Sequence, residues 1–127
     1  MKTILVCSFL CLVALGCYTT VQCQTTGKHD FDTLCAPCHG TTGTGEGRDL
    51  SEANPPDITR LSRENGGKFP FEQVYRSVDG RDLKASHRRF GMPFWGEYLQ
   101  RQDEKNSSTA VKQRITAIVR FVETLQK

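Results

Sequence analysis

The chain has 127 residues and, with 17 basic against 14 acidic side chains, a formal charge of +3 at pH 7. That length suits one domain around one core and excludes two with separate cores. A charge balance this close to neutral also excludes the basic footprint of a nucleic-acid-binding module.

Residues 1–23 read as an export signal. Lys2 supplies a positive start, and Ile4 to Gly16 is an almost unbroken apolar run of signal-core length. Thr19, Thr20 and Gln22 end that run before the roughly 20 apolar residues that a bilayer-spanning helix needs. Two endings of the leader compete. Val21-Gln22-Cys23 suits ordinary signal-peptidase cleavage, which releases a domain of residues 24–127. Ala14-Leu15-Gly16-Cys17 loosely matches a bacterial lipobox, in which the leader ends at residue 16 and a lipid on Cys17 tethers the domain to a membrane. Either ending implies a periplasmic or otherwise extracytoplasmic protein.

Setting the leader aside sorts the six cysteines. Cys7 and Cys11 belong to the apolar run, Cys17 and Cys23 to the processing sites, and Cys35 and Cys38 to the domain. Gly27 to Cys38 predicts a helix with Phe31, Leu34 and Cys35 on one side. Gly40 to Gly47 holds four glycines in eight residues and predicts a loop. Pro55-Pro56 opens a turn, and Pro70 begins a short helix through about Val78, closed by Asp79-Gly80. Arg81 to Gly96 reads as irregular, rich in basic and aromatic residues. Thr109 to Gln126 is the strongest helix, with Val111, Ile115, Ile118, Val119, Val122 and Leu125 at helical spacing and Ser107 or Ser108 as its cap. No period-two pattern predicts a strand, so the fold class is all-α with long loops. Loops of that extent in a small domain call for an organising element, which a large buried cofactor supplies.

The chemistry is carried by Cys35-Ala-Pro-Cys38-His39. On a helix-like turn, residues three apart face the same way, so both thiols reach the two vinyl groups of one haem and the following histidine comes under the iron. The competing readings lack parts. A structural zinc needs four ligands, and beyond this motif only His29 and His87 remain in the domain. A thioredoxin-like dithiol needs a βαβ context. One covalent haem c is therefore expected on Cys35, Cys38 and His39. For the sixth iron position the candidate is Met92, the one methionine besides Met1, between a flexible Gly91 and a stiff Pro93 in an aromatic loop. His87 is its rival. Arg60, Arg81 and Trp95 are candidate donors to the haem propionates.

These motifs resemble the class I c-type cytochromes, and more closely the small bacterial monohaem cytochromes whose distal loop reads Met-Pro-x-Trp-Gly. Gly27 and Phe31 keep the family's spacing before Cys35. The resemblance implies a cytochrome c fold, with N- and C-terminal helices crossing and long loops wrapped around one haem. It also implies that Ile118 and Phe121 receive the N-terminal helix, and that the Pro55-Pro56 turn offers the carbonyl that accepts the free ring N–H of His39. Where family members often carry a His-Gly pair, this chain has His87-Arg88-Arg89-Phe90-Gly91.

The function expected is one-electron carriage between redox protein partners, with no catalysis, by a monomer or a subunit of a redox complex. The alternative is the cytochrome subunit of a larger extracytoplasmic dehydrogenase or oxidase. A haem sensor or peroxidase requires a Met92 that leaves the iron. Arg81, Lys84, Arg88 and Arg89 fall in nine residues with one acid, Asp82, and predict a basic rim that steers an acidic partner.

Overall fold

The computed structural model describes residues 26–47, 55–81, 92–102 and 107–127. The leader of residues 1–23, His87 and the basic residues Lys84, Arg88 and Arg89 lie outside them. The described residues are helical with no strand among them, as the all-α expectation requires. None of their helices is long and apolar enough to cross a membrane.

Helix α1 takes in residues 26–39 and is continuous without being uniform. Residues 26–30 are α-helical, Phe31–Cys35 forms a π turn, and Ala36–His39 resumes the α form. The π turn is closed by the Ala36 N–H, which donates to the Phe31 carbonyl. Pro37 gives the physical reason for a break here, since it has no N–H and its ring crowds the carbonyl four residues back.

A 3-10 turn, Ile58–Arg60, leads into α2, Leu61–Glu64. Asp57 caps it: Oδ1 accepts from the Thr59 N–H at 2.9 Å and from the Thr59 hydroxyl at 2.6 Å. Helix α3 is Phe71–Asp79. It stops at Gly80, whose left-handed φ of 72° only glycine adopts cheaply, and the Gly80 N–H donates back to the Arg76 carbonyl.

Helix α4 is Trp95–Gln102; its first two residues fall within the stretch read as irregular, of which Met92 to Phe94 are irregular and residues 82–91 lie outside the described ones, and no helix is expected from the sequence over the rest. It escapes the sequence because it is short and polar, with Gly96 in its first turn and one fully buried side chain, Leu99. Helix α5 is Ser108–Thr124, capped by Ser107, whose Oγ accepts from the Ala110 N–H at 3.2 Å. Its apolar stripe of Val111, Ile115, Ile118, Val119 and Val122 is buried, and α3 and α4 pack on it and on each other.

α1 crosses α5 from the other side. A Cβ on Gly27 would run into the backbone carbonyl of Ala117, so the two helices approach closer there than any side chain permits. One turn on, the Phe31 ring sits 5.1 Å from that of Phe121, inclined at 56°, and Ile118 is buried in the same cluster. Beside them the buried Asp30 carboxylate takes two bonds from the Arg114 guanidinium, from Nε to Oδ2 at 2.9 Å and from Nη2 to Oδ1 at 2.7 Å.

The crossing predicts a reversal of sign. In a free helix interior Gly→Ala gains about 1 kcal/mol. Gly27→Ala should instead lose roughly 1–3 kcal/mol through overpacking, read as a lower denaturation midpoint with an unchanged slope. A net gain would mean that the helices do not touch at this point.

Candidate cofactor site

The end of α1, the 55–61 turn, α3, the Met92–Trp95 segment and α5 enclose a mainly apolar cavity of about 610 Å³. That is within the roughly 300–1,000 Å³ common for cofactor and ligand sites. α1 contributes Cys35, Cys38 and His39 to its lining, the Met92–Trp95 segment contributes Met92 and Trp95, and α5 contributes Ile118 and Val122. Five of the seven residues that the sequence nominates thus share one cavity wall.

The two arginines do not line it. Arg60 is exposed, its Nε 3.8 Å from Glu64 Oε1, and Arg81 Nε donates to the nearly buried carboxylate of Asp79 at 2.7 Å. Each of the two arginines therefore already has an acidic neighbour. Polar lining that the sequence reading passed over comes from α3, where Gln73 and Ser77 stand one turn apart beside Val74 and Val78. Their i, i+4 spacing is legible only once the helix is known to face the cavity.

His39 is held from below by the glycine loop. The Gly45 N–H donates to the His39 carbonyl at 2.8 Å, and the Gly47 N–H to the Cys38 carbonyl at 3.1 Å. The Ile58 N–H then donates to the Gly43 carbonyl at 2.9 Å, which brings the Pro55-Pro56 turn against the imidazole. Burial pushes the His39 pKa below its ordinary value, and the Pro56 backbone opposes that shift by favouring the protonated ring. Nδ1 itself is buried, and its alignment with Pro56 falls short of a full hydrogen bond. The lowered pKa keeps the ring neutral, which is the ligating form, and leaves Nε2 for a metal.

Cys35 and Cys38 are both thiols, not joined in a disulfide. Burial, with Asp30 and Cys38 adding to it, pushes the Cys35 thiol up to about 12. Among the described residues no group of three or more His, Cys, Asp or Glu is arranged to hold a metal ion directly. The donor set fits a haem better: two thiols and an imidazole at one edge of an apolar cavity, a methionine sulfur on its wall, and a buried ring nitrogen with an acceptor close by.

The raised Cys35 pKa makes little thiolate available near neutrality, and the thiolate is the reactive form. In the haem-free chain at pH 8, iodoacetamide should modify the half-buried Cys38 about tenfold or more faster than Cys35, as followed by peptide mass spectrometry. Denaturant should erase the difference; equal rates without it would show that Cys35 is not buried. Comparison with known proteins adds no relative to this site, for no family model, no curated protein and no solved structure matches the chain.

Proposed function

We propose that this chain is a monohaem c-type cytochrome, of cytochrome c fold, that carries one electron at a time between redox proteins outside the cytoplasm. The observation that carries the reading is that Met92, more than fifty residues further along the chain, lines the same apolar cavity as Cys35, Cys38 and His39. The haem, when bound, supplies a one-electron iron couple. Each chain residue has a part in holding it. The Cys35 and Cys38 sulfurs would hold it through thioethers, an attachment that would survive unfolding. His39 offers Nε2 to the iron and turns Nδ1 to the Pro56 backbone. Met92, on the same cavity, would offer its thioether sulfur as the second protein ligand, one that favours the reduced state and raises the potential.

If His39 and Met92 both bound the iron, no iron position would remain for a substrate, which supports transfer over catalysis. The apolar wall of Ile118, Val122, Val78 and Leu61 keeps water from the ring and limits the solvent rearrangement that accompanies a change of charge. The export reading of residues 1–23 puts the carrier outside the cytoplasm, free or lipid-tethered through Cys17.

The reading has a direct test. Expressed in a host that matures c-type cytochromes, the chain should retain haem through denaturing electrophoresis and stain for haem peroxidase activity. Extraction of the haem from the intact chain by acidified organic solvent would refute covalent attachment. For the sixth ligand, Met92→Ala should abolish the weak near-red sulfur-to-ferric-iron band and lower the midpoint potential, while His87→Ala should leave both nearly unchanged. The opposite pattern would move the ligand to His87.

A further inference from the structure

The side chain of Gln126, just past the end of α5, is unusually well bonded. Its Oε1 accepts from the Ser62 N–H at 2.9 Å. Its Nε2 donates to the Ile58 carbonyl at 2.8 Å and to the Val122 carbonyl at 2.9 Å. Both amide donors and one acceptor site are thus used. Its orientation is determined by this network, because a flipped amide would set oxygen against two carbonyls. Next to it the Lys127 N–H donates to the Thr59 carbonyl at 3.0 Å.

These bonds converge on the turn that faces the proximal histidine. Asp57 closes that turn from within, and the Ile58 N–H ties it to the glycine loop at Gly43. Gln126 supplies the outer half of the attachment, joining the carbonyl of Ile58 and the amide of Ser62 to α5. Pro56, whose backbone lies against His39, is two residues before Ile58.

We propose that Gln126 is a positioning residue for the His39 imidazole: by fastening Ile58 and Ser62 to the end of α5, it keeps the Pro56 backbone beside the buried Nδ1, where its carbonyl would accept from Nδ1–H once the ring binds iron. The role rests on the haem reading of His39. A ring that donates firmly from Nδ1 is a more basic ligand through Nε2. A more basic ligand stabilises the electron-poorer ferric iron, so this bond lowers the potential. Loosening the turn therefore raises it.

The test uses the haem-loaded chain and three variants. Gln126→Ala removes the whole network. Gln126→Glu keeps an acceptor for the Ser62 N–H but, ionised, cannot donate to Ile58. Val111→Ala, in the first turn of α5 and away from the cavity wall, supplies a comparable loss of core stability. Both Gln126 variants should raise the midpoint potential and speed exchange of the His39 Nδ1–H proton, followed by NMR in the ferrous protein, by tenfold or more. Val111→Ala should leave both at wild-type values. Wild-type potential and exchange in the Gln126 variants would overturn the role, as would equal shifts in Val111→Ala, which would reduce it to general stability. A chain that attaches no haem would refute the haem reading and this role with it. Covalent haem with unaltered Gln126 variants would refute this role alone.

Discussion

The close crossing of α1 over α5 is the constraint from which the rest of the site follows. At Gly27 the helices meet backbone to backbone, so their separation is set by a missing side chain. Phe31 against Phe121 and the paired bonds between Asp30 and Arg114 then set the rotation of one helix about the other. Since α1 is short and continuous through His39, fixing residues 27–31 also fixes where Cys35, Cys38 and His39 emerge. Ile118 and Val122, which line the same cavity, belong to the cluster on α5 that receives Phe31. Buried ion pairs gain little net stability over apolar packing. The value of Asp30 and Arg114 is in excluding other registers, because a shift of one turn would leave the carboxylate buried and alone.

That crossing leaves a hollow. A cavity of about 610 Å³ with a mainly apolar lining is packing that the described residues leave incomplete, and a wall atom facing it forgoes dispersion contacts it would make in a filled core. On the proposed reading the haem is the missing core, and attachment and folding are coupled: whatever binds the folded state and not the unfolded one stabilises it. The glycine loop and the Pro55-Pro56 turn then count as cofactor contacts, which accounts for loops so long in a domain so small.

The two sides of the cavity are built differently. On the His39 side a relay of backbone bonds runs from His39 through Gly45 and Gly43 to Ile58, and Gln126 closes it against α5. On the Met92 side, support comes from packing. Phe94 lies close against Gly80, and the Asp79 carboxylate, held by Arg81, sits against Gly96 in the first turn of α4. Trp95, on the wall, meets the exposed Tyr98 edge-on at 5.3 Å, so one aromatic pair links the cavity to the surface. On the proposed reading, the bonded His39 side and the packed Met92 side would suit a ligand pair in which the imidazole is fixed by its neighbours in sequence and the methionine is brought in by a separate segment.

Much of this was legible in the residues themselves. The apolar period of α5, its Ser107 cap, the glycine stop of α3 and the Cys-x-x-Cys-His spacing are local patterns, and local patterns express backbone geometry that tertiary context seldom overrides. Helix α4 and the turn at Ile58–Arg60 were not legible, because each is short and draws its stability from what it packs against. The site divides along the same line. Cys35, Cys38 and His39 adjoin in sequence, so their shared direction was determined before folding. That Met92 and Trp95 reach the same cavity, that Arg60 and Arg81 turn to Glu64 and Asp79 instead, and that Gln126 secures the far side of the Pro56 turn were decided only by the tertiary structure. Each of those contacts joins residues on different elements or depends on which acidic neighbour lies within reach, and a one-dimensional pattern carries no distance across the fold.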